Sequence, residues 1–162
     1  MTSKSQTSQS AASVVKLLKK SKLTVSTAES ITGGGLSSAL TDIAGSSEVF
    51  LGGVVSYSDK SKIKYLGITT SLLKKETAVS EKVAVAMAEA IRVEMKSDYG
   101  ISTTGVAGPG KAYGQKAGTV WIAIASKKGT ISVALSLSGD REAVRNATIV
   151  STLATFERIL SS

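Results

Sequence analysis

The hydrophobic positions of the chain change period several times, and each change marks an element. Over residues 80–96, Val83, Ala84, Met87, Ala88, Ile91 and Met95 recur at helical spacing, with Ser80 as a natural N-cap and Glu81 in the first turn. Ile131, Val133, Leu135 and Leu137 instead alternate with Ser132, Ala134, Ser136 and Ser138, the period of a strand with one wet face. Ahead of it, residues 117–125 (AGTVWIAIA) are almost uninterruptedly apolar, as in a strand buried on both faces. The turn over residues 127–130 predicts that these two strands are antiparallel. Val14, Val15, Leu17 and Leu18 amid Lys16, Lys19 and Lys20 predict a short amphipathic helix. Residues 1–10 (MTSKSQTSQS) have no apolar side chain beyond Met1 and are expected to form a disordered tail.

Residues 23–27 are β-branched and read as a strand. They lead into Ala28-Glu29-Ser30-Ile31-Thr32-Gly33-Gly34-Gly35, after which Leu36, Leu40 and Ile43 follow a helical pattern. Strand, glycine turn and helix make a βα unit with functional atoms at its turn. Residues 49–57 predict another strand, with a bulge or close backbone approach at Gly52-Gly53. Residues 58–66 have a short helical character, and residues 99–104 form a strand running into Gly105. Asp140 can cap a last helix whose buried stripe is Ile149, Leu153, Phe156 and Leu160. The sum is an α/β fold over residues 11–162: one domain, with a mixed sheet of five or six strands and helices on both faces.

Composition narrows the chemistry. The 162 residues include no Cys and no His. Disulfides, thiolate metal sites, a Cys nucleophile, a Ser-His-Asp triad and the common zinc sites are therefore excluded. Acid–base work falls to Lys, Tyr, Asp, Glu or Arg, and neither a metal nor a cofactor is expected. The net charge of +8 suits nucleic acid, an acidic membrane or anionic small substrates. Most of that charge is Lys, the arginines are Arg92, Arg141, Arg145 and Arg158, and aromatics make up 4%. Such a surface lacks the usual readers of bases and phosphates, so no obligate nucleic-acid partner is expected. No signal-peptide plan is present, and no stretch approaches the roughly 20 apolar residues of a membrane span. A cytoplasmic protein without a membrane partner is expected.

Residues 105–118 (GVAGPGKAYGQKAG) form a long Gly-rich loop, the kind that lines or covers a ligand site. Its start matches most of a phosphate-binding loop. However, Ala112 stands where Ser or Thr would hold magnesium, and Gly114 delays any helix. Ser30 has two readings: it caps the following helix, or it exposes a nucleophilic hydroxyl at a turn whose amides stabilise an oxyanion. A serine nucleophile here needs Lys, Tyr or a carboxylate as base. Lys60, Lys62 and Lys64 follow the 49–57 strand, and their mutual repulsion would favour a neutral amine. Arg141, beside Asp140 at a helix start, is placed either to bind an anion or to make a surface salt bridge.

Taken in order, these residues resemble a known family. Thr27-Ala28-Glu29-Ser30-Ile31-Thr32-Gly33-Gly34 resembles the TAES-x-TGG signature of the CinA C-terminal domain family, the nicotinamide-nucleotide amidohydrolases. The match continues through Gly45-Ser46-Ser47, the run from Gly52 to Ser58, Lys62, Leu66-Gly67 and Ala78-Val79-Ser80-Glu81. It goes on through the run from Thr103 to Gly110, Gly118-Thr119-Val120-Trp121 and Gly139-Asp140-Arg141, covering residues 11–160. The resemblance implies a three-layer α/β/α sandwich. It also implies hydrolysis of the carboxamide of nicotinamide mononucleotide to nicotinic acid mononucleotide and ammonia, by a metal-free Ser–Lys mechanism. By that likeness Ser30 is the nucleophile and Lys62 the general base. The backbone at Thr32 and Gly33 is the oxyanion or ligand cradle, Thr104 and Gly105 are substrate contacts, and Arg141 is a phosphate or ribose partner. Tyr57 would position Lys62 or the ring.

Two features depart from the family pattern. Ile31 stands where Cys or Leu is frequent, and residues 111–117 read Lys-Ala-Tyr-Gly-Gln-Lys-Ala where an acidic residue and a proline are usual. The length matches the stand-alone form of the family, and apolar segments crowding a small domain suggest a homo-oligomer. Two rival readings are a catalytically silent nucleotide-binding module of the same fold and a DNA-associated competence or damage protein.

Overall fold

Five strands, β1 (Val25–Glu29), β2 (Phe50–Val55), β3 (Tyr99–Gly105), β4 (Thr119–Ser126) and β5 (Gly129–Ser136), form one sheet in the order β2-β1-β3-β4-β5. β1 lies parallel to both β2 and β3, whereas β3, β4 and β5 pair antiparallel. The computed structural model describes the backbone of residues 3–162 and the side chains from Ser5 onward. Six α-helices surround the sheet: α1 (Ser3–Ser21), α2 (Gly35–Thr41), α3 (Asp59–Leu66), α4 (Thr70–Glu76), α5 (Glu81–Glu94) and α6 (Arg141–Ser161).

Two apolar clusters hold the layers together. On one face Val14, Val15 and Leu18 of α1, Leu36 and Leu40 of α2, and Leu153 and Phe156 of α6 pack with Val25, Ile101 and Ile124 of the sheet. On the other, Leu66 of α3, Leu73 of α4 and Val83, Met87 and Ile91 of α5 pack with Ala28. Ala84 and Ala88 let α5 lie close on Ala123 and Ala125 of β4. This is a three-layer α/β/α arrangement around a mixed sheet. No helix among the described residues is long and apolar enough to cross a membrane.

Most elements fall where the patterns put them, and three do not. Residues 3–10 are helical rather than a disordered tail, because α1 starts at Ser3. The face that buries Ala11, Val14 and Leu18 continues through half-buried Thr7 and Ser10, and Ser13 donates to Glu157 of α6. Small polar residues extend that helix face, so hydropathy alone does not mark it. Residues 1 and 2 of the expected tail lie outside the described residues. β1 begins at Val25, two residues later than its composition suggests, because Lys22 takes a left-handed φ of 53° in the turn after α1. The short helix α4 carries no apolar period long enough to read; the Thr69 side chain caps it.

Gly52-Gly53 shows both features expected of it. The β1–β2 register shifts between Val25 and Ser26, and a Cβ on Gly53 would lie 2.1 Å from Thr27 Oγ1. Close approach of β2 to β1 therefore requires a residue without a side chain there.

In this strand order the chain leaves β1 for β2 on one side and returns to β3 on the other. A crevice opens at such a switch point, outside the carboxyl ends of the parallel strands. Ser30 follows the end of β1, and Gly105 closes β3.

Candidate active site

The turn after β1 is built around Glu29. This side chain is fully buried, and its carboxylate accepts from the Thr32 hydroxyl at 2.6 Å and from the amides of Gly34 and Leu36, both at 3.0 Å. It also accepts from the Ser37 amide at 2.8 Å and the Ser37 hydroxyl at 2.5 Å. Orphan amides at a helix start are satisfied by an anion, and here the chain supplies its own. Gly34, with φ 97°, is the N-cap residue and has no side chain with which to cap α2. The capping role open to Ser30 in the sequence is thus taken by Glu29.

Ser30 is free for another contact. Its hydroxyl accepts from Lys62 Nζ at 3.0 Å, and Lys62 Nζ also donates to the Ser56 carbonyl at 2.8 Å. Lys62 is 1% exposed and Ser30 8%. The capping box of Ser58 and Ser61 starts α3 so that Lys62 points inward, while Lys60 and Lys64, two positions away on either side, remain exposed. Burial lowers the Lys62 pKa below the ordinary lysine value, and Asp59 partly opposes this. Repulsion among the three lysines, expected from their spacing, is not the cause; the helix points Lys60 and Lys64 into solvent, where water screens them.

These two side chains open onto a cavity of about 240 Å³. Tyr57, Thr104, Gly105, Val106, Gly108 and Arg141 are among its lining residues. The Gly-rich loop forms one wall through Val106 to Gly110, with Lys111 exposed and no helix following. Thr104 donates its hydroxyl to the Ala78 carbonyl at 2.6 Å. The Arg141 guanidinium bridges two walls, donating to Gly108 O at 2.7 Å and to the Tyr57 hydroxyl at 2.8 Å. Asp140 caps α6 through the Ala143 amide at 2.8 Å. Among the described residues, no group of three or more acidic side chains could hold a metal ion.

Within the expected cradle, the Thr32 hydroxyl and the Gly33 amide are engaged inside the turn. Thr32 is fully buried, with its hydroxyl between Glu29 and Thr103, 2.7 Å from Thr103 Oγ1. The Gly33 amide donates to Ser30 O, and its open face meets Arg145, whose guanidinium also donates to the Ile31 and Thr32 carbonyls. The Glu29 carboxylate occupies the place an external anion would take. Among the described residues, the amides of Ile31 and Thr32 meet no acceptor, and Ile31 borders the cavity. Glu29, Ser56 and Arg145 are the contributors that sequence reasoning did not single out. A buried acidic residue directly before a glycine turn was the one legible signal, since such a carboxylate needs local donors.

A buried hydroxyl within hydrogen-bond reach of a buried amine with a depressed pKa can act as a nucleophile–base pair. The relatives of this chain share its architecture. It is 42% identical over 148 residues to a CinA-like protein of Frankia casuarinae, covering 91% of this chain and 34% of the relative. The chain thus spans about a third of the length of the curated relatives it matches. Crystal structures of the competence damage-inducible protein A from Klebsiella pneumoniae (TM-score 0.93, 32% identity, 96% of this chain and 97% of that one) superpose closely. So does the competence/damage inducible protein CihA from Agrobacterium tumefaciens (TM-score 0.92, 31% identity, 97% and 96%). A family model for the CinA C-terminal domain matches residues 7–160, and the chain belongs to that family.

Proposed function

We propose that this protein hydrolyses the carboxamide of nicotinamide mononucleotide, giving nicotinic acid mononucleotide and ammonia. The observation that carries this reading is the 3.0 Å contact between Lys62 Nζ and Ser30 Oγ at the cavity floor. Ser30 Oγ adds to the carboxamide carbon as Lys62 takes its proton. The free amide of Ile31, the residue after the nucleophile, is the donor for the oxyanion. Collapse breaks the C–N bond; the leaving nitrogen takes the proton back from Lys62 and departs as ammonia. Water, deprotonated by Lys62, then cleaves the acyl ester and restores Ser30. The ring nitrogen of this substrate is already cationic, so the ring itself needs no proton. Arg141, Thr104 and Gly105 face the substrate from the cavity wall, and the net charge of +8 suits its phosphate.

The test is release of ammonia from nicotinamide mononucleotide by the full chain and by Ser30→Ala and Lys62→Ala. Each substitution is expected to lower turnover by at least about 10³-fold with an unchanged circular dichroism spectrum. Tight binding by the unaltered chain without ammonia release, or an undiminished rate in Ser30→Ala, would overturn the reading.

A further inference from the structure

The loop wall of the cavity carries a residue that the reaction above does not use. Ala112 and Gln115 exchange both backbone hydrogen bonds, at 3.0 and 2.9 Å, closing a two-residue hairpin. Between them Tyr113 and Gly114 have φ values of 52° and 72°, the positive pair that a type I′ turn requires. The first of these positions ordinarily holds Asn, Asp or Gly, and an aromatic residue there sits in a sparsely populated region of backbone space. Strain of this kind persists where function or packing fixes it.

Tyr113 lines the cavity onto which Ser30 and Lys62 open. The whole chain has one Trp, four Tyr and two Phe, and two of these, Tyr57 and Tyr113, are in the cavity lining. Both are partly open to solvent, at 57% and 47%. Close by, Asp59 Oδ1 is buried without a hydrogen-bond partner. The phenol of Tyr113 is raised above its ordinary pKa by burial first and then by Asp59 and Tyr57, which places all three groups within electrostatic range. Aromatic faces carry negative potential, and the charge of a nearby carboxylate adds to it. Positive charge shares this lining: Arg141 donates to the Tyr57 hydroxyl at 2.8 Å, and Lys62 feels the charge of Asp59. Among the described residues no cation lies over the Tyr113 ring, which leaves that face of the wall open to a flat cation beside the arginine.

We propose that Tyr113 is a specificity-determining residue, whose ring selects with Tyr57 for a flat, positively charged heterocycle over a neutral one of the same shape. The proposal rests on the reading that the cavity takes a pyridinium carboxamide. It adds the group that senses the ring's charge.

Calorimetric titration of the full chain carrying Ser30→Ala, which holds ligand without turning it over, tests it. The probes are nicotinamide mononucleotide and its dihydro form, which has the same substituents on a neutral ring. The cationic form is expected to bind about tenfold or more tightly than the neutral one. Adding Tyr113→Ala should reduce that preference to about twofold or less, through loss on the cationic form. Tyr113→Phe should keep it, since the ring and not the hydroxyl is the sensor. Should Tyr113→Ala melt or misfold, Tyr113→Leu carries the same comparison with the volume largely retained. Equal losses on both forms, no loss, or a Phe variant that behaves like the Ala variant would overturn the proposal. Failure of the hydrolase reading looks different: the unaltered chain releases no ammonia. In that event, 1-methylnicotinamide against nicotinamide on the same variants decides the proposal. Absence of a Tyr113-dependent preference for the cation overturns it.

Discussion

Glu29 and Ser30 are consecutive residues with divergent side-chain contacts. The Glu29 carboxylate gathers the Thr32 and Ser37 hydroxyls and three amides of the glycine turn and α2, while the Ser30 hydroxyl meets Lys62. One residue fixes the backbone so that the next presents its oxygen to the cavity. A turn with three successive glycines would otherwise have many conformations of similar energy.

This arrangement makes Glu29→Gln a sharp probe. Every contact of the carboxylate is as an acceptor, and a glutamine amide would place two donors among donors. We expect destabilisation of about 2–4 kcal/mol, since buried donors lose their partner and the network is shared. Thermal denaturation measures the loss. Turnover at a temperature where the variant is folded should also fall, because Ser30 loses its fixed position. A variant as stable as the parent would show that the turn is held by other contacts.

The rate should depend on pH through Lys62. As a base it works only when neutral, and burial lowers its pKa below the usual lysine range. The value of kcat/KM is therefore expected to rise with pH, with its midpoint below that of a free lysine. Asp59 acts in the other direction and holds the Lys62 pKa up. Asp59→Asn should consequently move the midpoint to lower pH. A shift to higher pH, or none, contradicts that electrostatic assignment.

Stability should carry the same signature. A lysine whose pKa is lower in the folded state binds fewer protons there than in the unfolded chain, so stability rises with pH between the folded and unfolded values. Relative to Lys62→Met, the unaltered protein should gain melting temperature as pH is raised from neutral toward the ordinary lysine range. Parallel melting curves across that range would mean that burial leaves the Lys62 proton affinity unchanged.

Arg141 ties the Gly-rich loop to the segment after β2 through Gly108 O and the Tyr57 hydroxyl. Arg141→Ala removes both contacts and a cationic group from the cavity wall. The KM for a phosphorylated substrate should rise by more than tenfold, corresponding to about 2 kcal/mol for a charged hydrogen bond, with a smaller change in kcat. Arg141→Lys should recover little, because a single ammonium lacks the planar fork that spans two acceptors. Steady-state kinetics on the two variants separate these outcomes; an unchanged KM would remove Arg141 from substrate binding.

Much of the fold was legible in period alone. The alternation of Ile131, Val133, Leu135 and Leu137 and the stripe from Val83 to Ile91 are local consequences of strand and helix geometry, and they fall on β5 and α5. The order of the motifs, from Thr27-Ala28-Glu29-Ser30 to Gly139-Asp140-Arg141, likewise pointed to the family that the profile match and the solved relatives show. The start of α1 was hidden because Thr7 and Ser10 continue its buried face without apolar side chains. Helix α4 was hidden because seven residues hold too little of a period.

By itself the sequence determined which chemistry is open to this protein. Without Cys or His, and with a hydroxyl at a glycine turn, the available base was confined to a few residue types. The family resemblance pointed to Lys62, but what brings that lysine to the hydroxyl is tertiary structure. Residues 32 positions apart come within 3.0 Å because β1 and β2 pair side by side and the Ser58 cap starts α3 with Lys62 inward. The same turn engages the Thr32 hydroxyl with the buried Glu29 carboxylate and the Gly33 amide with Ser30 O. Local pattern encodes element type and facing. Burial and long-range hydrogen bonding, which select one lysine among three, arise once the layers close.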